Sequence, residues 1–138
     1  MSSASGVQAD PECLTAFQEL KLGKKLRYIV YKLSDDHKSI VVEKQAVTAT
    51  YAEFLEHLPD DDCRWAVYDF DYKIADGERN KIVFYTWAPD NAKIKAKMLY
   101  SSSKDALRRS LNGVGVEIQG TDSDEVDYET VLEKVLRR

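Results

Sequence analysis

The side chains best suited to chemistry crowd into one stretch, where Lys93, Lys95, Lys97, Lys104, Arg108 and Arg109 fall within a few helical turns. Cations at that density can hold carboxylates or phosphates through charge-assisted hydrogen bonds. Negative charge is dense elsewhere, at Asp60-Asp61-Asp62 and from Asp122 to Glu129. The formal net charge of −4 argues against bulk attraction to nucleic acid. An acidic protein with one basic face points to a specific acidic partner surface.

Other reactive types do not converge. Asp69 and Asp71 alternate along a strand pattern, and paired carboxylates can perform acid–base work on glycosides. No cleft-forming residues accompany them, so they read as exposed strand positions. Asp60-Asp61-Asp62 lacks the glycine and distal glutamate of a calcium loop and reads as a solvated turn. His37 and His57 stand alone, at a turn and a helix end. Cys13 and Cys63 have no neighbouring histidine and no Cys-x-x-Cys spacing, so they read as reduced thiols with no metal. Gly113, Gly115 and Gly120 lack the strand–loop–helix order of a dinucleotide fingerprint. Lys24, Lys25 and Arg27 form a small basic group at the entrance to a strand, with nuclear import or lipid contact as the second reading.

The elements that must position the basic stretch follow from pattern. The 138 residues, 43% hydrophobic and 32% charged, suit one soluble globular domain. No apolar run approaches the roughly 18 residues of a membrane span, and the first residues lack the regions of a secretory signal. Residues 1–6, rich in Ser, Ala and Gly, read as a mobile arm, with the domain over 7–138. Asp10-Pro11 opens a helix carrying Leu14, Phe17 and Leu20, stopped near Gly23. Strands follow at 26–33 and 39–47, joined by the turn Ser34-Asp35-Asp36-His37. A short helix spans 51–57. A long strand, 64–74, turns at Asp76-Gly77 into a partner at 81–87. The basic helix runs from about Asn91 to Asn112, then a short strand at 114–119 and a last helix at 128–137. Hairpins give antiparallel pairs, and the long helix serves as a crossover. The expectation is an α/β (α+β) fold, a mixed sheet between helices.

At about 100° per residue, Ala92, Ala96, Leu99, Tyr100, Ser103, Ala106, Leu107, Ser110 and Leu111 share one face of the long helix, the buried one. The opposite face carries Ile94, Lys97, Met98, Ser101, Lys104, Asp105, Arg108 and Arg109. Ile and Met usually sit in cores, yet these two lie nearly antipodal to Leu99 and Ala106. Apolar groups ringed by charge are what a protein-binding face uses, and methionine adapts to partner shapes.

The run from Lys97 to Gly113, Lys-Met-Leu-Tyr-Ser-Ser-Ser-Lys-Asp-Ala-Leu-Arg-Arg-Ser-Leu-Asn-Gly, closely resembles the long helix of the actin-depolymerising factor/cofilin family. Leu14 to Lys25 looks like a fungal cofilin. Tyr68-Asp69-Phe70 and Lys81-Ile82-Val83-Phe84 with Thr86-Trp87 match the family's central hairpin. The resemblance covers about Ser5 to Arg137. It implies the ADF-homology fold, a central mixed sheet flanked on both faces by helices. It also implies a monomeric, cytoplasmic, non-enzymatic protein that needs no cofactor, binds actin monomers and filaments, and severs and depolymerises filaments. The alternative is an ADF-homology module that binds another actin-associated assembly without severing.

Carried over residue by residue, the monomer-and-filament surface is Ser5, Gly6, Val7, Lys97, Met98, Lys104, Asp105, Arg108 and Arg109, with Ile94 added on helical angle. The filament-only surface is Arg79, Lys81, Glu133, Lys134 and Arg137. Many family members are switched off by phosphorylation of a serine in the arm. Here the Ser-Gly-Val match selects Ser5, while the shifted spacing leaves Ser3 open, and a phosphate there would repel an acidic partner. The family's basic surface also takes phosphoinositide headgroups, which places Lys97, Lys104, Arg108 and Arg109 in that role. The basic insertion that directs some animal members to the nucleus is absent, so nuclear entry is not indicated.

Overall fold

Strand-forming residues are concentrated in Tyr28–Leu33 (β2) and Arg64–Ile74 (β4), whose inner halves are buried on both faces. Such two-sided burial marks central strands. A computed structural model, describing residues 6–22 and 26–137, places them side by side at the middle of a six-stranded sheet. The other strands are Gln8–Ala9 (β1), Ser39–Ala46 (β3), Gly77–Trp87 (β5) and Val114–Gly120 (β6), and the order across the sheet is β1-β3-β2-β4-β5-β6. The pairs β2–β3, β2–β4 and β4–β5 are antiparallel, whereas β1–β3 and β5–β6 are parallel. The helices are Pro11–Lys21 (α1), Tyr51–Leu55 (α2), Ile94–Arg108 (α3) and Tyr128–Leu136 (α4), with a 3-10 helix at Ser123–Val126.

Side-chain alternation sorts the core into two layers. Trp65 and Val67 of β4 with Ile82 and Phe84 of β5 face Phe17 and Leu20 of α1 and Tyr100, Ala106 and Leu107 of α3. Ala66, Tyr68 and Phe70 with Val83 and Tyr85 face Phe54 of α2 and Val131 and Val135 of α4. Helices therefore cover both faces of a mixed sheet, as the sequence implies.

Several boundaries differ from the sequence expectation. β1 was not anticipated: it is only two residues long and pairs with Ser39 and Ile40, too short to show a period. The α1 stripe is Cys13, Ala16, Phe17 and Leu20, while Leu14 is exposed. β5 begins at Gly77 instead of 81, because a tight turn at Ala75-Asp76 lets the outer, polar halves of the hairpin pair throughout. α3 is shorter than 91–112. Lys93 is extended at its start, and after Arg108 the chain tightens through Ser110 N–H to Leu107 O and Leu111 N–H to Arg108 O before Gly113 turns at φ 108°. The expected stop of α1 at Gly23, and Lys24 and Lys25, lie outside the described residues.

Candidate functional site

α3 is held to the sheet by small and aromatic residues together. Ser103 and Ala106 are buried and allow close approach, while Tyr100 packs on Trp65 with ring centroids 4.5 Å apart. The Tyr100 hydroxyl accepts a hydrogen bond from the Leu33 amide at 3.0 Å, fixing the rotation of the helix against β2. That rotation decides which residues face out. Ile94 is 74% exposed and Met98 65% exposed, as the helical angle requires.

Around these two apolar side chains the cations are steered by local bonds. Glu117 of β6 accepts from Arg108 Nε at 2.7 Å and pairs with Lys104 Nζ at 3.1 Å. Arg108 also donates to Leu111 O at 3.1 Å and lies 6.0 Å from the Phe84 ring centre. Arg109 Nε donates to Asp105 O at 3.1 Å, and Lys97 Nζ to Asp90 O at 3.2 Å. Burial raises the Glu117 carboxyl, but the hydrogen bonds and charges of Arg108 and Lys104 outweigh it and hold it below the usual glutamate range. Glu117 is the site residue that sequence reasoning missed; its signal is an exposed acid in the strand that follows the basic helix.

The electrostatics of α3 are one-sided. Its first turn has no acidic residue, its N-cap Lys93 makes no side-chain cap bond, and Lys95 and Lys97 add charge beside the positive end of the helix dipole. Isolated helices disfavour this arrangement. Packing of the buried face has to carry the helix, and the exposed end is left complementary to anions.

One residue assigned to the actin-facing surface is turned inward. Val7 is 3% exposed and joins the α1–α3 core layer, so its side chain is not part of the outer surface; β1 pairing draws it inward. Gly6 is exposed, at φ 82°. Ser3 and Ser5 lie outside the described residues.

The filament set divides differently. Arg79 is exposed on the protruding half of the hairpin, and Glu133 and Lys134 are exposed on α4 and Arg137 at its C-cap, with Glu133 and Arg137 paired at 3.2 Å. Lys81 is half-buried. Its ammonium donates to Val135 O at 2.8 Å and sits 5.8 Å from the Tyr72 ring centre. Lys81 thus binds the hairpin to the C-terminal end of α4, where a cation complements the dipole. Three apolar residues not anticipated for this side, Ile74, Tyr128 and Leu136, are 41%, 41% and 47% exposed. On α4, Tyr128, Leu132 and Leu136 recur at i, i+4 spacing beside the buried Val131–Val135 stripe, which is the signal that could have found two of them. α3 and α4 cover opposite faces of the sheet, so the two residue sets form separate surfaces.

Among the residues set aside, one placement is corrected. Asp69 is not an exposed strand position: it is 4% exposed and accepts from Asn80 Nδ2 at 2.7 Å, while Asp71 pairs with Arg27 at 2.9 Å. Cys13 and Cys63 are free and buried. Burial, with Glu12 and Asp10 nearby, pushes the Cys13 thiol up to about 12, and burial likewise raises Cys63, so both are inert thiols. Among the described residues no group of His, Cys, Asp or Glu could hold a metal ion, and no helix is long and apolar enough to cross a membrane.

Comparison with known proteins agrees with this geometry. Residues 6–136 match the model of the cofilin/tropomyosin-type actin-binding protein family. The chain is 58% identical to the cofilin of Schizosaccharomyces pombe over 136 residues, covering 99% of each. It is 58% identical to the cofilin of Ogataea parapolymorpha over 137 residues, covering 98% of this chain and 96% of the other. The crystal structure of Streptomyces griseoflavus cofilin superposes with a TM-score of 0.92 at 53% identity, covering 96% of this chain and 98% of that one.

Proposed function

The chain belongs to the cofilin/ADF family of actin-binding proteins, and from that premise we propose that it binds actin monomers and filaments, severs filaments and speeds their depolymerisation, acting through binding and not catalysis. The carrying observation is the exposed pair Ile94 and Met98 on α3, ringed by Lys97, Lys104, Asp105, Arg108 and Arg109. An apolar centre that is desolvated on contact supplies affinity, and the surrounding charges supply steering and register. By family resemblance Gly6 and Ser5 belong to the same actin-facing set.

The second surface, Arg79 on the hairpin with Glu133, Lys134 and Arg137 on α4, meets a neighbouring subunit of a filament. Lys81 serves it by holding hairpin and helix together. Two patches on opposite faces of one sheet bind best to the filament geometry that lets both engage, and that differential affinity shifts the filament toward a twisted, weaker state. Residues 7–138 act as one monomeric domain in the actin cytoskeleton of the cytoplasm.

Lys97, Lys104, Arg108 and Arg109 also suit phosphoinositide headgroups, which would compete with actin for the same cations. A phosphate on Ser5 or Ser3 would bring negative charge to the edge of a surface built for an acidic partner. Microscopy of labelled filaments tests the central reading: fragments and faster subunit loss are expected on adding the protein. Filaments that keep their length while the protein binds them would replace it with a non-severing module.

A further inference from the structure

Below the end of α2, the C-terminal end of β5 and the 3-10 helix enclose a cleft of about 470 Å³ that none of the actin-facing residues lines. Its apolar floor comes from Leu55, Leu58, Trp87 and Val126, and its rim carries Asp60, Asp90 and Asp122. The floor is firmly set. The Trp87 indole N–H donates to Pro59 O at 2.6 Å. Gly120 lies so close beneath that a Cβ there would meet Val126 Cγ1 at 2.5 Å and Trp87 Cε3 at 3.1 Å.

The rim differs from the acids that are held in ion pairs. Glu43, Asp62, Asp71 and Glu117 are each neutralised by an arginine, and Glu117 also by Lys104. Asp60, Asp90 and Asp122 make no ion pair among the described residues, and no Lys, Arg or His lines the cleft, although Lys97 outside the lining reaches the Asp90 main-chain O at 3.2 Å. Asp61 and Asp124 extend the exposed negative charge to either side. Like charges gathered without a counter-charge repel one another, and a cationic partner relieves that repulsion. The carboxylates do not converge as metal ligands among the described residues. An apolar floor under an unneutralised carboxylate rim is complementary to an apolar side chain flanked by basic ones.

We propose that this cleft docks a basic peptide segment of a partner protein, which inserts a bulky apolar side chain over Trp87 and Val126 and sets flanking Lys or Arg against Asp60, Asp90 and Asp122. None of the lining residues belongs to the actin-facing sets, and only Asp90 touches one of them, through Lys97 at its main-chain O, so such a segment could be held while actin is bound.

The test uses the full chain and the acetylated, amidated hexapeptide Lys-Arg-Leu-Phe-Arg-Lys, followed by the Trp87 indole N–H resonance and by amide shifts at Leu55, Asn91 and Ser123. Saturable shifts confined to the cleft are expected. They should be lost when Leu-Phe is replaced by Ser-Gly, and a paired Asp60→Asn, Asp122→Asn variant should bind about tenfold more weakly, from two exposed ion pairs. Filament severing by that variant should be unchanged. Equal binding of the Ser-Gly peptide, unaltered affinity of the paired variant, or shifts centred elsewhere would each overturn the proposal. So would cleft shifts that follow protein concentration without peptide, which would make a second copy the occupant, or shifts on deleting residues 1–5, which would make it the chain's own arm.

Discussion

Truncation of Met98 to alanine separates a binding anchor from a core residue, because the two roles load the side chain in different states. In the free protein Met98 is 65% exposed. Burying a large apolar side chain completely is worth about 1.5–3 kcal/mol, so the roughly one-third already covered contributes about 0.5–1 kcal/mol to folding. Alanine's better helix propensity offsets a little of that. For a domain of this size the melting temperature should fall by no more than about 3 °C. If actin covers the remaining two-thirds, its loss weakens binding by about 1–2 kcal/mol, or about 5–30-fold in Kd. Monomer affinity measured with labelled actin, alongside thermal melts followed by circular dichroism, reads both quantities on one preparation. A drop in melting temperature well beyond 3 °C with unchanged affinity would refute the reasoning, since it would mean Met98 supports the fold and the exposed face is not the contact.

Further outcomes follow from individual bonds. Arg79→Glu should weaken filament binding and leave monomer binding intact; equal loss of both would merge the two surfaces into one. Lys81→Glu should instead lower stability, since it sets a carboxylate against Val135 O at the negative end of α4, and an unchanged melting curve would deny Lys81 its holding role. Glu117→Gln should speed association with actin at low salt, because the face gains one net positive charge, and speed dissociation as Arg108 loses its orienting partner; rates that do not depend on the substitution would remove Glu117 from the site. Asp127 caps α4 by accepting from the Thr130 amide at 2.8 Å, and that bond holds its carboxyl below the ordinary value of 3.8. With the folded value below the unfolded one, this stabilisation is complete above the unfolded value and is lost as pH falls through the folded one. Amide-exchange protection in α4 should decline over that acidic window, and Asp127→Asn should abolish the dependence; identical profiles for both proteins would show that the cap does not hold the helix.

Legibility from sequence tracked the strength of local periodicity. β4 was read to the residue, Arg64 to Ile74, because a long aromatic and β-branched run ends at a turn signal. The exposure of Ile94 and Met98 was readable because a 3.6-residue period places them opposite Leu99 and Ala106 whatever the helix packs against. β1 was not readable, since two residues carry no period and form a strand only because β3 offers an edge. Leu14 and Cys13 exchanged roles because a small thiol and a leucine are equally compatible with a stripe until the neighbouring sheet is in place.

Composition and period thus determined the helices, the hairpins, the basic face of α3 and its two apolar residues, all of which depend on neighbours in sequence. Only the tertiary structure decided which charges are free to meet a partner. Lys104 and Arg108 are tied to Glu117 across 13 and 9 positions of chain, Lys81 reaches 54 positions to Val135, and Val7 is drawn into the core where the adjoining Gln8 and Ala9 pair with β3. Those contacts arise from the order of strands in the sheet, which brings distant segments within a few ångströms and which no local pattern encodes.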